Sequence, residues 1–204
     1  MQQEKKKIKA LVFDIGNVIF PVDWSPTISK LNLSGNHNDI IASISNHKAH
    51  ILFEKGLISK KDFYTNITNL LGPKLSKNDF YAAWNLCLGK TTIETYSLIE
   101  IAVKNVPIYA LSNTNELHYE SFIKDPIFSF FKKLFLSFQM NMRKPEPEIY
   151  KKLILELNCD PSEILFIDDS VANIQAATTM GINTKLCLNS TVQLKEILLQ
   201  YNLL

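Results

Sequence analysis

The chain has 204 residues, 46% of them hydrophobic and 21% charged, with 22 lysines and arginines against 20 aspartates and glutamates. That composition belongs to a folded globular protein, built as one large domain or as a core carrying a smaller insertion. A net charge of +2 provides no broad basic surface for nucleic acid or an anionic membrane, and no stretch approaches the roughly 18 to 20 apolar residues that a spanning helix needs. Lys5-Lys6-Lys7 reads as a solvated lead-in to a strand-length run rather than the start of a signal peptide, so a cytoplasmic location is expected. Nothing in the sequence calls for an obligate protein partner. Cys87, Cys159 and Cys187 are widely separated and lack any CxxC spacing, which predicts reduced thiols rather than a disulfide framework or structural zinc. His47 and His50 sit at i, i+3 spacing without a nearby third ligand, so they are not read as a metal site.

In chain order, IKALVF is a predicted strand, followed by a turn at Gly16-Asn17. From about Trp24 to Gly89 the apolar residues recur at helical spacing with several breaks and no convincing strand. Within that stretch Ser59, with Asp62 three residues on, is a predicted helix cap, and Gly72-Pro73 ends the helix it starts. A helix over Thr92 to Val103 then leads into the strand PIYALS, and helical signals at Glu116 to Ile123 precede the strand KLFLSF. Glu146 to Leu157 is an amphipathic helix, ILFID a strand, Asn173 to Met180 a helix, NTKLCL a last short strand and Val192 to Leu199 a closing helix. Strands alternating with helices predict an α/β fold, a doubly wound, mostly parallel Rossmann-like sheet, with an inserted all-helical cap. The expected division is residues 1–22 and 90–204 for the core and 23–89 for the cap.

Three of the predicted strands end on polar residues: LVFD at Asp14, YALS at Ser112 and ILFIDD at Asp168-Asp169. In parallel α/β sheets ligands bind outside the carboxyl ends of the strands, so these groups are expected to converge. Clustered carboxylates ask for a cation, and Mg²⁺ suits oxygen ligands and a substrate phosphate. Asp14 at a strand tip can act as a nucleophile toward phosphorus. Ser112 offers a hydroxyl and Asn113 backbone N–H groups to a phosphoryl oxygen, and the Lys144 ammonium can pair with both Asp14 and the phosphoryl group. Arg143, the only arginine in the chain, fits a functional role or a surface ion pair. Trp24 fits a cleft wall or interdomain packing.

These residues resemble the haloacid dehalogenase-like hydrolase superfamily through four motifs in order: FDIGNV at Asp14, LSNTN at Ser112, RKPEPEIY at Lys144 and IDDSVANI at Asp168-Asp169. The wording is most similar to its sugar-phosphate phosphatase branch, including bacterial α-D-glucose-1-phosphate phosphatases. The resemblance implies a Mg²⁺-dependent phosphomonoester hydrolase that acts on a small phosphorylated metabolite through an aspartyl-phosphate. Asp14 would be the nucleophile, Ser112 and Lys144 would hold phosphate, and Asp14, the Gly16 carbonyl and Asp169 would hold the metal with Asp168 assisting. Gly16, Asn17 and Asn113 would border the substrate. Glu54 and Lys55, in the Phe53-Glu54-Lys55-Gly56 loop, stand where similar proteins place substrate-selecting groups.

One departure matters. Most phosphatases of the superfamily carry a second aspartate where this chain has Gly16, and general acid-base help of that kind contributes about 10²- to 10⁴-fold. The glycine therefore predicts slower turnover or a preference for good leaving groups, and it leaves open a catalytically weak or inactive phosphometabolite-binding protein. It also argues against a phosphomutase. A haloacid dehalogenase is a further alternative, disfavoured because Asp168-Asp169 would repel an anionic substrate.

Overall fold

The computed structural model describes residues 7–72, 75–188 and 190–204, so Lys5, Lys6 and Pro73 lie outside the described residues. Five strands, β1 (Ala10–Phe13), β2 (Ile108–Ser112), β3 (Phe131–Leu136), β4 (Ile164–Asp168) and β5 (Asn183–Leu186), pair in parallel in the order β3-β2-β1-β4-β5. Every residue of β1, β2 and β4 is buried, which explains why these strands read as unbroken apolar runs. Their side chains alternate between two cores. Leu11, Phe13, Ile108, Ala110, Leu165 and Ile167 face one, and Ala10, Val12, Tyr109, Leu111, Ile164 and Phe166 the other.

The edge strand β3 begins earlier than the sequence predicts and stops before Ser137. There the Ser137 hydroxyl donates to the Thr114 carbonyl at 2.9 Å and accepts from the Thr114 N–H at 2.9 Å. That exchange turns the chain inward and ends the strand. The C-terminal end of β5 is likewise short of the predicted Leu188.

Between β1 and β2 the chain forms α1 (Ser25–Lys30), α2 (His37–Ser45), α3 (Lys48–Glu54), α4 (Lys60–Leu71) and α5 (Lys77–Trp84). Side-chain caps start four of them: Asn36, His47, Ser59 and Ser76, with Ser59 and Asp62 forming a reciprocal capping box. Gly72 closes α4 in the left-handed region, as its position predicts. These helices share their own apolar cluster, in which Phe63 stacks on Phe53 at 4.3 Å and meets Trp84 edge-on at 4.8 Å. The stretch of chain leading into this segment and the one leaving it are joined. Val22 bridges Leu88, the Asp23 N–H donates to the Cys87 carbonyl at 2.9 Å, and the Gly89 N–H to the Pro21 carbonyl at 2.8 Å.

The remaining helices are α6 (Ile93–Ala102), α7 (Glu116–Phe122), α8 (Ser137–Met140), α9 (Pro147–Leu157), α10 (Val171–Thr179) and α11 (Thr191–Gln200). Helices α6 and α11 cover the first core and α9 and α10 the second. Cys87 and Cys187 are buried and Cys159 half-buried, all three as free thiols. No helix among the described residues is long and apolar enough to cross a membrane.

Candidate active site

Asp14 directly follows β1, and its backbone N–H donates to the Ile167 carbonyl at 2.8 Å, which fixes it beside the end of β4. Asp168 closes β4 and Asp169 follows it. One carboxylate oxygen from each of Asp14, Asp168 and Asp169 lies within 4.8 Å of the others. Lys144, fully buried in the loop before α9, reaches into this cluster. Its ammonium stands 2.6 Å from Asp168 Oδ2 and 3.0 Å from Asp14 Oδ1, and donates to the Leu111 carbonyl at 2.8 Å. The contacts to Asp168 and Leu111 are hydrogen bonds and the one to Asp14 is an ion pair, so one N–H of the three remains to turn toward a further oxygen.

The charges act strongly on one another because water is largely excluded. Burial pushes the Asp14 carboxyl up to about 7, and Asp168 adds to that while Lys144 pulls against it. Burial alone would lower Lys144, but Asp14 and Asp168 outweigh it and hold the ammonium above the usual lysine value. Asp169 is raised by burial and by Asp168, with an Asn17 hydrogen bond opposing. Three carboxylates against one ammonium leave an excess of hard oxygen donors, a donor set that fits Mg²⁺.

Polar neighbours orient this set. Asn173 Nδ2 donates to both Asp168 oxygens at 3.0 and 3.1 Å, and the Ser170 N–H to Oδ1 at 2.8 Å. Asn113 holds the Lys144 loop from both sides: its Nδ2 donates to the Lys144 carbonyl and its Oδ1 accepts the Lys144 N–H, each at 2.8 Å. Asn17 Nδ2 donates to Asp169 Oδ2 at 2.9 Å while its Oδ1 accepts the Val22 N–H at 3.0 Å. Asn17 adopts φ 54°, a left-handed conformation that asparagine tolerates better than most residues. The side chains of Asn113 and Asn17, expected from the sequence to border substrate, are thus engaged with the site's own framework.

A cavity of about 230 Å³ opens between the strand ends and the helical segment. Gly16, Ser112, Asn113 and Thr114 line it from the sheet, and His50, Glu54 and Arg143 from the opposite side. Trp24 lines it as well and packs edge-on at 5.0 Å against Trp84 of the same helical segment, with the His118 ring of α7 6.4 Å away. Gly16 is not in the left-handed region, and a Cβ there would meet Val22 Cγ2 at an ordinary 3.4 Å. The backbone does not demand a glycine at this position; its absent side chain widens the cavity.

Glu54 and Arg143 meet across this space, with Arg143 Nη2 3.0 Å from Glu54 Oε2. Burial raises the Glu54 carboxyl, with Arg143 and Lys144 acting in the other direction. His50 Nε2 lies 3.9 Å from Glu54 Oε1, and burial, with the Arg143 and His47 charges, lowers its pKa to about 4, so the ring is neutral. Lys55 is placed elsewhere: its ammonium pairs with Glu146 at 2.6 Å and it does not line the cavity. Next to it Gly56, at φ 66°, runs so close to α8 that a Cβ would overlap the Phe138 carbonyl oxygen. Sequence reasoning did not find the roles of Asn173, Asn17 and His50: the Asn17–Asp169 pairing spans 152 residues and leaves no local pattern, whereas Asn173, five residues after Asp168, and His50, one helical turn before Glu54, stand at spacings the sequence does show.

A family model described as haloacid dehalogenase-like hydrolase matches residues 8–181. The chain is 29% identical to a D-ribitol-5-phosphate phosphatase of Bacteroides thetaiotaomicron over 187 residues, covering 87% of this chain and 90% of that protein. It is 27% identical to a sesquiterpene phosphatase of Aspergillus oryzae, over 85% of this chain and 87% of the other. Among solved structures, a HAD family enzyme of Bacteroides thetaiotaomicron, in complex with magnesium and inorganic phosphate, superposes with a TM-score of 0.78 at 32% identity. That match covers 87% of this chain and 93% of the enzyme.

Proposed function

The chain belongs to the haloacid dehalogenase-like hydrolases, and we propose that it is a Mg²⁺-dependent phosphatase that cleaves a small phosphorylated metabolite, a sugar or alditol phosphate, through an aspartyl-phosphate. The observation that carries this reading is the buried Lys144 ammonium bridging Asp14 and Asp168, with Asp169 beside them, at the carboxyl ends of β1 and β4. Asp14, Asp169 and the Gly16 carbonyl would hold the ion with Asp168 assisting; when bound, Mg²⁺ supplies Lewis-acid polarisation and charge neutralisation. In the first step an Asp14 oxygen forms a bond to phosphorus as the bond to the leaving oxygen breaks. Lys144 and Ser112 hold the equatorial oxygens as charge spreads over them. Asn113 positions Lys144 through its side chain and offers its backbone to the phosphoryl group. In the second step water cleaves the acyl-phosphate and restores Asp14.

The cavity supports a small leaving group, since about 230 Å³ falls below the roughly 300 to 1,000 Å³ of drug-sized sites. That favours an alditol-sized substrate, like that of the ribitol-phosphate relative, over a terpenyl one. Residues 1–22 and 90–204 form the catalytic core in this reading, and 23–89 a cap that closes over substrate. Glu54, on the cap, faces the leaving group, whereas Lys55 ties the cap to Glu146. A cytoplasmic enzyme needing neither nucleic acid nor a protein partner completes the proposal, and that part rests on the sequence alone.

The test is phosphate release from sugar phosphates, alditol phosphates, nucleoside monophosphates and an aryl phosphate, with Mg²⁺ and with a chelator. Metal-dependent release that Asp14→Asn reduces by at least about 10³-fold is expected. An active Asn variant would sink the assignment. Retained Mg²⁺ and ligand binding without release from any compound would instead identify a binding protein, the reading that Gly16 favours.

A further inference from the structure

The cavity wall opposite the phosphate end carries buried hydrogen-bonding capacity that the protein does not use. Among the described residues, Glu54 Oε2, Arg143 Nε and His50 Nδ1 are buried without a hydrogen-bond partner, and all three side chains line the same cavity as Gly16 and Ser112. Glu54 and Arg143 touch as an ion pair at 3.0 Å, but that contact is not aligned as a hydrogen bond at Oε2 and leaves Arg143 Nε open. Glu54 is 8% exposed and His50 7% exposed, so bulk water does not readily satisfy them. Native proteins rarely leave such groups unmatched unless a ligand or ordered water completes them.

The chemistry of the three groups is specific. A carboxylate oxygen only accepts, a guanidinium Nε–H only donates, and a neutral imidazole nitrogen does one or the other. An alcohol does both, so neighbouring hydroxyls on one carbon chain can serve the acceptor and the donor together. Ile15, Phe20, Val22, Trp24, Leu88 and Phe122 give the cavity an apolar stretch of wall as well. A polyol or sugar has matching faces, with hydroxyls on one side and C–H groups on the other. The groups also come from both parts of the chain: Glu54 and His50 stand on α3, while Arg143 adjoins Lys144 in the loop before α9. A ligand held by all three therefore spans the gap between the helical segment and the sheet.

We propose that Arg143, Glu54 and His50 form a subsite that reads hydroxyl groups on the leaving group, which makes the substrate a phosphomonoester of a polyhydroxylated carbon chain or ring. The proposal rests on the phosphatase reading and adds the residues that set its specificity. A site built to hydrogen-bond hydroxyls rejects an analogue that lacks them, because its own buried groups are then left unpaired; discrimination of about 10⁴ has this origin in other enzymes.

The experiment compares kcat/KM for ribitol 5-phosphate and n-pentyl phosphate, which differ only in the hydroxyls, within the wild type and within each of Arg143→Met, Glu54→Gln and Arg143→Lys. Wild type is expected to favour the polyol ester by at least about 10²-fold. Arg143→Met and Glu54→Gln are expected to bring the ratio to within about tenfold of unity, and Arg143→Lys to recover part of it. Because the readout is a ratio within one protein, a general loss of catalytic power does not mimic the result. The proposal is overturned if wild type cleaves the two esters equally well, or if the folded variants keep the wild-type ratio. An aryl phosphate separates the failures. If neither that nor any other ester is cleaved, the phosphatase reading falls, and calorimetric binding of ribitol 5-phosphate to wild type and Arg143→Met then decides the subsite by itself.

Discussion

Lys144 and Arg143 are neighbours in the chain, yet Lys144 joins the buried carboxylate cluster while Arg143 lines the cavity and pairs with Glu54. Lys144 is wholly buried and contacts two carboxylates and a carbonyl at 2.6 to 3.0 Å. Arg143 keeps about a quarter of its side chain exposed, meets one carboxylate and leaves Nε unpaired. The sheet end is complete in its organic framework and lacks only countercharge. The helical end is incomplete as polar chemistry and awaits a partner. In the proposed reading the contrast separates what serves phosphoryl transfer from what chooses a substrate: the first is anchored on three central strands, the second draws on α3 and on the loop before α9.

The largest effect that would break this contrast is at Lys144. Lys144→Ala should lower kcat/KM by about 10²- to 10³-fold for every phosphate ester alike, because it removes charge from the transferring group and not from the leaving group. It should also lower the melting temperature, since breaking a buried ion pair costs about 3–5 kcal/mol by stranding Asp168. A loss confined to one class of ester would place Lys144 at the leaving-group end instead.

A smaller effect is expected at Asn17. Asn17→Gly keeps the φ 54° turn available but removes the hydrogen bond to Asp169, so Mg²⁺ affinity measured by calorimetry should fall about tenfold. An unchanged affinity would show that Asp169 does not need this support.

The smallest is a pH effect. Burial holds Asp14 up near 7, above the unfolded carboxyl, so without a cation the folded protein keeps a proton that the unfolded chain has released between about pH 4 and 7. The stability contributed by that proton is present at low pH and is lost as pH rises through about 7. A cation must displace the same proton, so Mg²⁺ affinity should weaken by up to about tenfold per pH unit below 7. Thermal melts should then show Mg²⁺ raising the melting temperature more at pH 8 than at pH 6; equal shifts would remove Asp14 from the ligands.

Much of the sheet end was legible in the sequence because buried parallel strands leave an unmistakable trace, an apolar run that stops on a polar residue. Asp14, Ser112 and Asp168 were each placed by that signal alone, and the structure brings Asp14 and Asp168 onto one ammonium. Ser59 and Gly72 were equally clear, since caps act through local backbone geometry. The edge strand β3 was displaced because its start is half-exposed and lysine-bearing, and its end is set by Ser137 bonding across to Thr114. The helical end was harder. That Glu54 should face Arg143 while Lys55 turns to Glu146 depends on how α3 docks against α8 and the 141–146 loop, and no periodicity encodes docking.

The bridge between Val22 and Leu88 carries a consequence for how such a protein changes over time. The chain enters and leaves the helical segment through this one joint, so everything between is a closed excursion that leaves no mark on the strand order. Its length and contents can be exchanged while β1 and β2 keep their register, in the way a tool is swapped at a fixed chuck. Helices with other contents could be mounted on the same joint, and the three carboxylates and the lysine beneath would not have to move.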